Sequence, residues 1–197
     1  MDRVEWSEGT WLNPPPHLEE AGTSLDVTAA PGSDFWRKTY YGFERDSGHA
    51  LLVDLLVGQS IEVDFHADFE ALYDQAGLML RANESRWIKT GVEVSDGMAQ
   101  LGAVVTDRVS DWSCAPVSHW ANRTVTLRVS RGPDAVIIRA RTEDEPWRLV
   151  RLAPFVAEGP VAAGLFCASP ERGGLVVRFT ELRRGHADAE LHQNSSH

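Results

Sequence analysis

The chain has 197 residues, 43% hydrophobic and 24% charged, the balance of an ordinary globular protein and enough length for one sizeable core. Lys and Arg number 19 against 29 Asp and Glu, a formal charge of -10. So acidic a surface repels phosphate backbones and anionic lipid, which excludes nucleic acid and membrane as expected partners.

The N-terminal MDRVEWSEGTWLNPPP has no apolar leader, and no window approaches a membrane span, so a cytoplasmic protein is expected. Up to about residue 22 the chain reads as an irregular Trp/Pro-rich lead-in. Asn13-Pro14-Pro15-Pro16 fits neither helix nor central strand, because three prolines remove donors and fix φ. From about Ser24 to Leu182 the signal is period-2 alternation. Ile61, Val63, Phe65 and Ala67 alternate with Glu62, Asp64, His66 and Asp68; Val125, Leu127 and Val129 alternate with polar neighbours; Leu175, Val177 and Phe179 alternate with Val176, Arg178 and Thr180.

Turns break these runs at short intervals, among them Asp46-Ser47-Gly48, Val57-Gly58-Gln59, Gly132-Pro133-Asp134 and Gly173-Gly174. Asp96-Gly97 is the strongest hairpin signal, since a type I′ turn needs φ > 0 at both central residues. Asp68–Tyr73 is the one stretch that suggests a short helical turn. The arginines Arg128, Arg131, Arg139, Arg141, Arg148 and Arg151 read as a solvated sheet face. Cys114 and Cys167, outside any Cys-x-x-Cys pair, are expected as buried free thiols. About a dozen hairpin-spaced strands without βαβ alternation predict an all-β fold, a two-sheet antiparallel β-sandwich or jelly roll. Residues 1–184 are expected to form its single domain, and 185–197 a flexible polar tail.

Trp87-Ile88-Lys89-Thr90-Gly91-Val92-Glu93-Val94 is the most informative strand. Ile88, Val92 and Val94 face the core, which leaves Trp87, Lys89, Gly91 and Glu93 in a row on the other side. If it pairs with the preceding strand through Asn83-Glu84-Ser85, Gln75 and Arg81 share that face. Asp34-Phe35-Trp36-Arg37, Tyr40-Tyr41-Gly42 and Ser110-Asp111-Trp112-Ser113 are further candidates to line it. Aromatic rings cover apolar sugar faces while amides and carboxylates bind hydroxyls. The candidate ligand-binding set is therefore Trp11, Trp36, Trp87 and Trp112 with Gln75, Arg81, Lys89, Glu93 and Asp111. The alternative is plain packing for the tryptophans and an ordinary ion pair for Lys89 and Glu93.

Several blocks then occur in a recognisable order: Trp11-Leu12-Asn13-Pro14-Pro15, Asp34-Phe35-Trp36-Arg37-Lys38-Thr39, Tyr41-Gly42-Phe43, Asp46-Ser47-Gly48-His49 and Tyr73-Asp74-Gln75-Ala76-Gly77-Leu78. They are followed by the Trp87–Glu93 strand, Ser110–Ser113 and Cys167-Ala168-Ser169-Pro170-Glu171-Arg172. Together, from roughly Glu5 to Leu182, the chain resembles the regulation-of-enolase-like family, a domain of unknown function in the concanavalin A-like lectin/glucanase superfamily. The resemblance implies the jelly-roll sandwich. It implies little chemistry: fungal members are linked to galactose metabolism and enolase regulation, the family has no established catalytic residues, and none is carried over.

Retaining glucanases of that superfamily use Glu-x-Asp-x-x-Glu. Here Glu62-Val63-Asp64-Phe65-His66-Ala67 lacks the second glutamate, so Glu62 and Asp64 are expected on a polar outer face. The seven histidines show no ligand spacing, and Asp34, Asp46 and Asp74 lack a calcium-loop pattern, so no metal is expected. His49 is expected to be a hydrogen-bonder rather than a base. No Gly-x-Ser-x-Gly and no Gly-rich phosphate loop occurs, and no cofactor is expected. Three functions remain: a carbohydrate-type binding domain, a regulatory protein-interaction domain of sugar metabolism, and a glycoside hydrolase or lyase using groove carboxylates. Whether the Pro-rich lead-in walls the groove or plugs it stays open.

Overall fold

The computed structural model describes residues 1–143 and 145–192. Two antiparallel sheets stack face to face. The first runs β15 (Arg148–Pro154), β14 (Ala135–Thr142), β13 (Val125–Arg131), β8 (Gln59–Ala67), β17 (Val176–His186), β4 (Ser24–Thr28) and β3 (His17–Ala21), with β1 (Asp2–Arg3) also on β17. The second runs β12 (Val109–Pro116), β11 (Met98–Asp107), β10 (Arg86–Ser95), β9 (Gln75–Asn83), β16 (Ala162–Ala168), β7 (His49–Asp54) and β2 (Thr10–Leu12). A separate ribbon, β5 (Phe35–Arg37) with β6 (Glu44–Asp46), completes the strands.

The alternation read from the sequence builds the main core. Ile61, Val63 and Phe65 of the first sheet meet Leu78, Leu80, Ile88 and Val92 of the second, all buried. Asp96 and Gly97, at φ 52° and 73°, make the β10–β11 hairpin that their dipeptide predicts. Asp68–Tyr73 is not helical. Asp74 instead accepts the backbone N–H groups of Glu70 and Ala71, each at 3.1 Å, and holds the segment as a turn.

The first sheet's outer face carries Glu62 and Asp64, as expected, each 2.7 Å from Arg183. The arginine cluster is less solvated than its spacing suggests. Arg131 and Arg139 are buried, and Trp147 lies between Arg128 and Arg141, each 4.6 Å from its ring. The C-terminal segment also differs from expectation. β17 continues to His186, and Asp188 folds back onto Arg128 and Arg139 at 3.1 and 2.9 Å, so paired charges order its start. The Gln193–His197 end lies outside the described residues. Cys167 is buried as expected; Cys114, on edge strand β12, is exposed.

The second sheet is covered on both faces. Its outer side holds a smaller cluster in which Phe35 of the ribbon packs on Trp87 and Phe166, with centroids 6.1 and 6.3 Å apart. The lead-in covers only an edge of this face, where Leu12 packs against the smaller cluster. Trp11 packs against the main core, and Asn13 donates to the backbone carbonyls of Asp46 and Gly48, tying the chain to the ribbon. His49 accepts the Ala30 N–H and bonds the Asn13 carbonyl, the hydrogen-bonding role expected of it.

Across the second sheet, Gly77, Gly91 and Gly102 stand in direct register on β9, β10 and β11. A Cβ on Gly91 would lie 1.9 Å from the Ala76 carbonyl oxygen, and one on Gly77 would lie 2.1 Å from that of Thr90. Backbone is in the way, and a rotamer change offers no relief. Gly91→Ala is expected to destabilise by about 1–3 kcal/mol, the cost of overpacking, visible as a lower urea midpoint at unchanged slope. An unchanged midpoint would show that the strands part without cost.

A polar cavity between ribbon and sheet

The register that aligns the glycines also places Gln75 of β9 opposite Glu93 of β10, with Gln100 of β11 on the other side of Glu93. One row along, Lys89 stands between Met79 and Val104, with Trp112 beyond. The glycines leave a strip without side chains between these two rows. Over this floor lies a cavity of about 280 Å³. The ribbon and its loop supply Asp34, Trp36, Tyr41, Phe43 and Arg45. Tyr73 and the segment at Pro170 and Glu171 close its end.

Lys89 is 4% exposed and its ammonium is well held: it donates to Gln75 Oε1 at 2.6 Å and to Asp34 Oδ1 at 3.4 Å. The Gln75 amide donates to Asp34 Oδ1 and to the Tyr73 carbonyl, at 3.3 and 3.1 Å. Glu93 lies 4.0 Å from the same ammonium and accepts no hydrogen bond among the described residues. Burial pushes its carboxyl up to about 7; Lys89 opposes the shift and Asp34 adds to it. Two carboxylates thus flank one ammonium, and only Asp34 is hydrogen-bonded to it. The Tyr73 and Tyr41 hydroxyls meet at 3.1 Å, and that bond, with burial, pushes Tyr73 up to about 12.

Of the residues singled out from sequence, Trp36, Gln75, Lys89, Glu93 and Trp112 line the cavity. The other four do not. Trp87 is 1% exposed beneath Phe35, because the ribbon covers that end of its row. Arg81 makes two bonds of 2.8 and 2.7 Å to Asp46 and anchors the ribbon. Trp11 belongs to the sandwich edge. Asp111 pairs with Arg151 at 3.2 Å and faces a neighbouring hollow. Phe43, Arg45, Tyr73, Pro170 and Glu171 were not among the candidates. The signal for all of them but Arg45 lay in the blocks that carry Tyr41-Gly42-Phe43, Tyr73 and Cys167–Arg172. Ser169 and Arg172 of the last block fix Asp74, at 2.8 Å each, and so hold Pro170 and Glu171 at the rim.

Glu93 supplies a test of this geometry. Unfolded, it titrates near 4.5; folded, near 7. Below about pH 4.5 both states are protonated. As pH rises between the two values the unfolded chain loses its proton first, so stability falls and the loss is complete above about pH 7. Glu93→Gln removes that loss, so its stability relative to wild type should grow between pH 4 and pH 8 by on the order of 2–3 kcal/mol. A difference that stays constant with pH in denaturant melts would refute the half-buried, unbonded carboxyl.

The family model for a protein of unknown function (DUF1349) matches residues 11–187. The chain is 41% identical over 178 residues to Regulation of enolase protein 1 of Saccharomyces cerevisiae, covering 90% of this chain and 89% of that one. It superposes on the crystal structure of a functionally unknown Saccharomyces cerevisiae protein with a TM-score of 0.89 at 39% identity, covering 94% of this chain and 100% of the other. In fold alone it is similar to the metal-free lectin I-B4 of Griffonia simplicifolia, with a TM-score of 0.55 at 10% identity over 91% and 93% of the two chains. The sandwich is thus of the concanavalin A-like kind, and the chain belongs to the DUF1349 family.

Proposed function

We propose that the cavity between ribbon and sheet binds one sugar unit. The observation that carries this reading is the meeting of an aromatic wall, Trp36, Tyr41, Phe43 and Trp112, with the polar floor of Gln75, Lys89 and Glu93. Rings of that kind cover the C–H face of a pyranose, and amide, ammonium and carboxyl groups bind its hydroxyls. A volume of about 280 Å³ suits a single ring better than a chain. The lining charges, Lys89 and Arg45 against Asp34, Glu93 and Glu171, favour a neutral polyol over a sugar phosphate. The lectin's fold is consistent with such a role, and a cytoplasmic setting belongs to the same proposal.

The alternative is a regulatory protein-interaction domain of sugar metabolism, favoured by the name of the yeast relative. A hydrolase or lyase would draw on the placement of Asp34 and Glu93 around Lys89. The reading is tested by a thermal-shift screen against neutral monosaccharides and sugar phosphates. A ligand at ~100 times its Kd should stabilise by about 2.7 kcal/mol. Glu93→Gln and Trp112→Ala are expected to weaken that ligand at least tenfold. A flat panel, or a shift that both variants retain, would sink the proposal.

A further inference from the structure

Beside the cavity, and sharing its Trp36, Tyr41 and Trp112 walls, lies an open hollow of about 630 Å³. Its own lining is Thr39, Tyr40, Val109, Ser110 and Asp111. Resting on the sugar-binding reading of the cavity, we propose that this hollow is a second sugar subsite, so that the ligand is the end of a short oligosaccharide or glycan rather than a free monosaccharide.

Tyr40 is the first reason. Its side chain is 95% exposed, on a backbone at φ 62°, a conformation that bulky residues rarely adopt. Exposure and strain both work against keeping a large ring there for packing alone. The loop is nonetheless firmly built: Gly42 N–H donates to the Lys38 carbonyl, Lys38 N–H to that of Phe43, and Trp36 Nε1–H to that of Thr39, at 2.6, 2.8 and 2.9 Å. Tyr40 also meets the Tyr41 ring edge-on at 5.2 Å, so the two tyrosines present adjoining surfaces to the hollow and the cavity. A ring pre-set in this way loses little freedom when a ligand covers it.

The second reason is the chemistry opposite. Asp111, 69% exposed, is steered by Arg151 at 3.2 Å and leaves acceptor capacity for hydroxyl groups. Thr39 adds a hydroxyl on the loop side, and Val109, half exposed, adds an apolar surface. Ring face, carboxylate and hydroxyl together repeat the mixture found in the cavity. A dry apolar protein patch would lack the carboxylate and the hydroxyl. Because Trp36, Tyr41 and Trp112 line both sites, neighbouring units of one saccharide would reach both.

Titration calorimetry decides between the outcomes. Glucose and galactose are compared with cellobiose, maltose, lactose and melibiose, whose non-reducing ends carry the same rings. For the sugar that binds, its matching disaccharide is expected to bind at least tenfold more tightly. Tyr40→Ala should abolish that advantage while leaving the monosaccharide Kd within twofold. Equal affinities for mono- and disaccharide, or a Tyr40→Ala effect that is the same on both, would overturn the second subsite and leave the cavity reading intact. Binding of no sugar by the folded wild-type protein would overturn the cavity reading, and the subsite with it.

Discussion

One buried ammonium organises the site. A charge as enclosed as that of Lys89 costs several kcal/mol unless paired and hydrogen-bonded. Its partners come from two separate parts of the fold, Gln75 on the adjacent strand and Asp34 at the start of the ribbon. Asp34 also accepts the Phe35 N–H through its side chain and those of Ser47 and Gly48 through its backbone carbonyl, so both ends of the ribbon close on it. The pairing therefore fixes where the ribbon sits, and with it the insertion of Phe35 between Trp87 and Phe166. Glu93 is what remains. The ammonium's hydrogen bonds go elsewhere, and burial outweighs the pull of its charge on the carboxyl.

The two outer faces of the sandwich handle charge differently. On the first sheet, Glu62, Asp64 and Asp188 are matched by Arg128, Arg139 and Arg183, and forked guanidinium groups satisfy each carboxylate. Such a surface has little unspent hydrogen-bonding capacity to offer a ligand. On the second sheet two carboxylates share one lysine, and the balance is incomplete. The glucanase-like Glu62 and Asp64 thus belong to the structural face, while the incompletely paired carboxyl lies on a strand with no such motif.

The sandwich was legible because period 2 is clear on β8, β13 and the first half of β17, and Asp96-Gly97 pinned the central hairpin. Alternation also gave the face shared by Gln75, Lys89 and Glu93, since pairing through Asn83–Ser85 leaves little freedom of register. Its limit was what lies above a sheet. The spacing of Trp87 matches that of Lys89, yet one is sealed under Phe35 and the other reaches a cavity. That difference depends on where the ribbon crosses, a long-range contact without a local pattern. Arg81 and Asp111 failed to join the site for a related reason: each found an opposite charge from a remote segment, Asp46 and Arg151.

The cavity has two walls of unlike construction. Gln75, Lys89 and Glu93 stand on central strands paired on both sides, where a shift of one residue would exchange core and surface. Trp36, Tyr41, Phe43 and Arg45 stand on a two-stranded ribbon outside either sheet's hydrogen-bond ladder. Substitutions on the ribbon can reshape the site without disturbing the sandwich, whereas substitutions on the floor endanger both. A lineage diverging from this fold could therefore change the shape and chemistry of the cavity by rewriting about a dozen residues of one excursion, keeping the lysine's partner at its base.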